Sequence, residues 1–242
     1  MATNKTDLQA MVDGFLAGTY ETTNPRGVPV AADIPLGNKA AKITAAALFI
    51  DLRQSSDITN AFRRQTAAKM LKSYFDGCVR LVNHNSGFVR SFNGDGLLAL
   101  FVGDQRSDNA VKAAMQTKWF VQEILWPKFN GYFAANQAAR GARLSFSFGA
   151  GIDEGDIYAV RVGIRGTNDV AWVGRCTNTA AKLSNVLHHP RNIGVTRRVY
   201  DQLSSSRRLS KGVNMWSSNE QWGEFGGLRR AYRTTSYWWS IS

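Results

Sequence analysis

The sequence has little of what builds disulfide frameworks, leaders or membrane spans. Its 242 residues hold two cysteines, Cys78 and Cys176, which make no disulfide framework. No apolar run approaches the ~20 residues that cross a bilayer. The N-terminus lacks a basic region followed by an apolar core, so no secretory leader is expected. These absences point to a cytoplasmic chain with reduced thiols. Acidic residues are scarce, with 18 Asp and Glu against 30 Lys and Arg, a formal net charge of +12. Such an excess suits phosphate-bearing partners. The basic residues are scattered, however, from Arg63 and Arg64 through Arg140 and Arg143 to Arg229, Arg230 and Arg233. No long basic run or nucleic-acid module motif appears, so no specific nucleic-acid partner is expected. Internal repeats and low-complexity tracts are also absent.

What is present is an ordinary globular composition, 44% hydrophobic and 20% charged. The length suits one well-buried domain with extensions. We expect an N-terminal segment over 1–41 and a single domain over 42–242. In the first, residues 6–16 show helical spacing with Gly18 as a stop, and 19–41, with Pro25, Pro29 and Pro35, read as connection.

Two aspartates stand at the tips of apolar runs. Lys42–Ile50 reads as a buried central strand that ends in Asp51. Phe88 and Val89 lead into Arg90-Ser91-Phe92-Asn93-Gly94-Asp95-Gly96, followed by the apolar Leu97–Phe101. That pattern is a β-hairpin over 87–102 with Asp95 exposed in its turn. Turn chemistry alone favours Asn, Gly and Asp there. Two carboxylates at the tips of two core strands can, however, share a pair of metal ions that act on phosphoryl groups.

Between these strands a long helix is expected from about Asp57 to His84. Leu71, Tyr74, Phe75, Cys78 and Val82 form its apolar face, and Cys78 reads as a core residue. Ser107-Asp108-Asn109 offers N-caps for a second helix running to about Trp126, before Pro127. Phe129, Tyr132 and Phe133 continue the apolar pattern. Residues 144–149 alternate as a half-buried strand, Gly151–Gly155 reads as a turn, and Asp156–Val162 as the returning strand. Gly174–Leu187 reads as a helix with Asn178 and Lys182 on one face. A short strand follows over 193–195. Thr196 then caps a helix to Leu203, and 204–208 is a loop. Trp216, Trp222, Trp238 and Trp239 are expected to close the core.

Gly174-Arg175-Cys176-Thr177-Asn178-Thr179-Ala180-Ala181-Lys182-Leu183 resembles the Gly-x-x-x-Asn-x-Ala-x-Arg-hydrophobic signature of class III nucleotidyl cyclases. Phe49–Arg53 is similar to their first metal motif, and Asn93–Gly96 to their second. The three motifs occur in order, within a resemblance covering roughly residues 42 to 204. The implied fold is α+β: a ferredoxin-like βαββαβ core whose mainly antiparallel sheet is covered by helices. The implied reaction is cyclisation of a nucleoside triphosphate with loss of pyrophosphate. Two divalent cations, Mg²⁺ or Mn²⁺, would bind Asp51, Asp95 and the backbone carbonyl of Leu52. Asn178 and Lys182 would orient the ribose and stabilise the transition state, with Lys replacing the family's usual Arg. In such cyclases each site draws on two subunits, which implies a homodimer with shared sites.

At the positions where related cyclases read purines, this chain has Ser91 and Ala171, the latter followed by Trp172. Asn93 and Gly94 belong to the same nucleotide-binding motif. The chain resembles the pyrimidine cyclases of bacterial Pycsar antiphage systems. That resemblance implies UTP, or CTP, as substrate and a downstream effector that binds the cyclic nucleotide. Competing readings are a cytidylate cyclase, and an adenylate or guanylate cyclase with divergent base recognition. A non-enzyme reading is a catalytically silent regulatory module, against which the presence of Asp51, Asp95 and Asn178 argues. The Gly-Gly-Asp/Glu-Glu-Phe signature of diguanylate cyclases is absent.

Overall fold

The structure is a computed structural model in which residues 4–131 and 146–241 are described. In chain order these form α1 (Lys5–Ala17), β1 (Glu21–Thr23), β2 (Lys39–Leu52), α2 (Ser55–Ala61) and α3 (Arg64–His84). Next come β3 (Phe88–Asn93), β4 (Gly96–Phe101), α4 (Arg106–Trp119) and a π-helical stretch, Phe120–Leu125. Then follow β5 (Phe148–Ile164), β6 (Thr167–Val173), α5 (Arg175–Asn185), β7 (Ile193–Thr196), α6 (Arg197–Gln202) and α7 (Ser205–Arg208). The chain ends with β8 (Leu209–Ser210), β9 (Val213–Asn214), β10 (Gln221–Phe225) and β11 (Leu228–Thr235). It divides into two compact units, one of Met1–Thr44 with Asp156–Gly174, the other of Ala45–Gly155 with Arg175–Ser242.

In the first unit, α1 begins with a reciprocal cap between Asn4 and Asp7. It buries no residue, and Leu8, Met11, Val12, Phe15 and Leu16 are all exposed. The connection after it contains more structure than its prolines suggest. β1 pairs in parallel with the start of β2, and Asn38 donates to the Phe15 and Gly18 carbonyls. β5 and β6 form a hairpin from Tyr158↔Val173 to Ile164↔Thr167. Trp172 and Val170 share one face of it and pack against Ile34, Ala41 and Ala159.

The second unit holds the sheet in the order β10-β11-β7-β5-β2-β4-β3. The βαββαβ order is realised by β2, α3, β3, β4, α4 and β5. The β2–β4, β3–β4, β7–β11 and β10–β11 pairs are antiparallel, and β5–β7 is parallel. Every residue of β4 is buried, as expected of a central strand that is apolar on both faces. α3 turns Ala67, Met70, Tyr74, Cys78, Leu81 and Val82 into the core. Burial pushes the Cys78 thiol up to about 12, which keeps it inert.

Several expectations change. The long helix is two, broken at Phe62-Arg63, and α2 starts at Ser55 after Gln54 takes a left-handed turn at φ 57°. Ser107 does not cap α4; its hydroxyl donates to buried Glu154 at 2.9 Å. The second helix passes into the π-helical stretch after Trp119, and residues 126–131 are helical beyond it. Tyr132, Phe133, Arg140, Arg143 and the first residues of the expected 144–149 strand lie outside the described residues.

Gly151–Gly155 is not a turn but the interior of β5, which bends back only at Arg165-Gly166. The acidic pair there is buried and satisfied. Asp153 accepts from the Thr196 hydroxyl at 2.6 Å. Glu154 accepts from Ser107 and Gln202 and pairs with Arg106. Residues 205–208 form α7 rather than loop. Of the four tryptophans, Trp216 and Trp239 pack on the core, whereas Trp222 and Trp238 are exposed.

Candidate active site

The turn of the β3–β4 hairpin brings Asp95 beside the end of β2. Asp51 stands opposite Gly96 in the β2–β4 ladder. The Leu52 N–H donates to the Asp95 carbonyl oxygen at 3.2 Å. The tight turn uses Gly94 at φ 62°, a conformation that disfavours a side chain. Burial, and next the charge of Asp95, push the Asp51 carboxyl above its usual range, while Arg53 pulls it back. A cation beside Asp51 would relieve both the burial and the neighbouring negative charge.

Each carboxylate has one oxygen held in place. Ser55 donates to Asp95 Oδ2 at 2.5 Å, and Arg53 Nη1 lies 2.9 Å from Asp51 Oδ2. A Cβ on Gly96 would stand 2.6 Å from the Phe49 ring and 3.3 Å from Asp51 Oδ1. Glycine there keeps that oxygen approachable. The donors are all oxygen, which fits Mg²⁺ or Mn²⁺ rather than a softer ion. Among the described residues no three His, Cys, Asp or Glu side chains cluster. A cation would therefore complete its shell from the main chain, water and a ligand's phosphates, as Mg²⁺ commonly does.

Asn178 and Lys182 lie on the exposed face of α5, whose other face buries Cys176, Thr179, Ala180 and Leu183. Asn178 lines a cavity of about 210 Å³ with Arg175, Thr179, Phe225, Gly226 and Leu228. Neither Asp51 nor Asp95 lines it. The helix rests directly on the backbone of β5. Added Cβ atoms at Gly149 and Gly151 would lie 2.2 Å from the Ser184 and Ala180 carbonyl oxygens.

Ser91 and Asn93 sit on β3, where the Ser91 hydroxyl bonds Asn93 Oδ1 at 2.9 Å. The β3–β4 register shifts between Val89 and Ser91, so Arg90 occupies a bulge, its guanidinium 5.2 Å from the Phe88 ring centre. Ala171 pairs with Val160 in the β5–β6 hairpin, and Trp172 is committed to the apolar cluster beside it. The sequence assigns no role to Arg53 or Ser55. Their proximity to Asp51, on the turn out of β2, was the available signal.

The sheet, the paired aspartates and the Asn–Lys helix together define a class III nucleotidyl cyclase domain. The guanylyl cyclase Cya2, a solved structure, superposes with a TM-score of 0.66 at 16% identity, covering 82% of this chain and 94% of that one. No family model matches the chain. It is, however, 31% identical to a uridylate cyclase of Xanthomonas perforans over 97% of both chains. It is also 31% identical to a uridylate cyclase of Rhodovulum sp. (strain MB263) over 87% of both. The chain belongs to the uridylate cyclase family and is a nucleotidyl cyclase.

Proposed function

We propose that the protein converts UTP to 3′,5′-cyclic UMP and pyrophosphate, as a homodimer with two shared sites. The observation that carries this reading is the juxtaposition of Asp51 and Asp95 at one end of the sheet. The ribose O3′ bonds to the α-phosphorus, the bond from that phosphorus to the bridging oxygen breaks, and pyrophosphate leaves. The 3′-hydroxyl proton passes to solvent.

Asp51, Asp95 and the Leu52 carbonyl would hold two divalent cations, whose charge would acidify the 3′-hydroxyl and neutralise the triphosphate. Asn178 of the second subunit orients the ribose. Lys182 beside it places a positive point charge against the phosphoryl oxygens, without the two-pronged grip of Arg. That neither Asp51 nor Asp95 lines the Asn178 cavity supports a site completed by a partner. Ser91, Asn93 and Gly94 lie toward the base, and none of them carries a formal charge that would select a purine. The product serves as a second messenger for an effector in antiphage defence, in the cytoplasm.

The test is the product profile from an equimolar mixture of ATP, GTP, CTP and UTP with Mn²⁺. Cyclic UMP is expected to dominate. Dominant cyclic CMP would move the substrate to CTP. Dominant cyclic AMP or cyclic GMP would overturn the pyrimidine reading, and no cyclic product from any nucleotide would overturn the enzyme reading.

A further inference from the structure

An α-helix ends with carbonyl groups that have no partner within it. At the end of α5 the Ser184 carbonyl accepts the Leu187 N–H at 3.2 Å, and a further donor comes from another part of the sequence. Arg53 Nη2 donates to the Ser184 carbonyl oxygen and, at 3.2 Å, to that of Leu187. A cation is well placed there, against the negative end of the helix dipole. The other prong of the same guanidinium, Nη1, holds Asp51 Oδ2 at 2.9 Å. The Arg53 main-chain N–H is fixed as well, donating to the Ser147 carbonyl at 2.8 Å. Space for the fork exists because residue 149 is glycine: an added Cβ would fall 2.4 Å from Nη2.

The geometry points to Arg53 as a positioning residue that acts at both ends of its guanidinium, fixing the Asp51 carboxylate and the seat of the helix carrying Asn178 and Lys182. The inference rests on the shared-site cyclase reading. In that reading, the Asp51 and the Asn178 of one chain serve different sites. Arg53 then joins the two sites of the dimer, because it joins two half-sites within each chain. Lysine cannot replace it, since an ammonium lacks the planar fork that reaches both partners at once.

The test compares the full-length protein with Arg53→Ala and Arg53→Lys in three measurements. Mn²⁺ binding without nucleotide, followed by electron paramagnetic resonance, should weaken at least about fivefold in both variants. Amide exchange in the last turn of α5 should speed up about tenfold or more. In mixed dimers, Asp51→Ala with Asn178→Ala should regain activity, because one site receives intact residues from both chains. Arg53→Ala with Asn178→Ala should regain much less. There the intact Asn178 rides on an α5 that has lost its anchor.

Equal recovery in the two mixtures would overturn the two-ended role, and so would unchanged Mn²⁺ affinity and unchanged exchange. Suppose the Asp51→Ala and Asn178→Ala mixture shows no recovery while Mn²⁺ binding and exchange change as stated. The shared-site reading then falls, and the positioning role of Arg53 stands. If Arg53→Ala does not fold, Arg53→Lys carries the same three readouts.

Discussion

The Leu52 N–H bonds the Asp95 carbonyl oxygen, so the two acidic tips are joined through the main chain. Their separation is set by the sheet, and substituting either side chain leaves that bond in place.

Asp51→Ala and Asp95→Ala should therefore fold. Each removes a cation ligand from a reaction that depends on several kcal/mol of charge stabilisation, so turnover should fall on the order of 10³-fold. Steady-state rates with Mn²⁺, beside thermal melts close to those of the parent, check this. Near-normal turnover in either variant refutes the assignment.

Gly96→Ala tests the close approach at the same place. Its Cβ meets the Phe49 ring and crowds Asp51 Oδ1. We expect a loss of about 1–3 kcal/mol in stability, as for other overpacked sites, together with weaker Mn²⁺ binding. Unchanged Mn²⁺ affinity would show that Asp51 Oδ1 is not the liganding oxygen.

The Asp51 carboxyl lies above the usual carboxylate range because of burial and the neighbouring Asp95. Its protonated form cannot hold a cation well. Mn²⁺ affinity should therefore fall with decreasing pH from a point above the ordinary aspartate range. For stability the sign is opposite. A raised folded-state value means that the native state binds the extra proton, so metal-free stability declines as pH rises through that window. Thermal melts of the apo protein across the acidic range, with and without Mn²⁺, should show the two slopes.

Thr196→Val removes the hydroxyl that donates to buried Asp153. Leaving a buried acceptor without that donor costs about 1–3 kcal/mol. Burial already holds Asp153 above its usual value, with Thr196 pulling it down. In the variant the carboxyl rises further, so the deficit should be largest at neutral pH and shrink once both proteins are protonated. Denaturant melts at neutral and acidic pH measure it, and a pH-independent deficit would argue for lost packing alone.

Much of this site could be read from residue types at strand ends. An apolar run ending in Asp51, and a Gly-flanked Asp95 between two apolar strands, leave little choice of place for either carboxylate. The α5 face was legible because Asn178 and Lys182 are four apart above a small-residue face. What failed was local punctuation overruled by tertiary partners. Glycines around Asp153 and Glu154 imitate a turn, yet they sit in a strand because Thr196, Ser107, Gln202 and Arg106 satisfy the acids from distant parts of the chain. The reach of Arg53 to Ser184, across more than a hundred residues, leaves no trace in spacing.

Gly149 and Gly151 touch no substrate in any reading of this enzyme, yet they set how deep the α5 helix lies. A single methyl at either one would have to lift the helix bearing Asn178 away from the sheet. Drift by ordinary substitution is thus closed at two positions that look like inert scaffold. An evolutionary route to a different substrate has to run through other positions than these two, which seat the helix without facing the cavity beside Asn178.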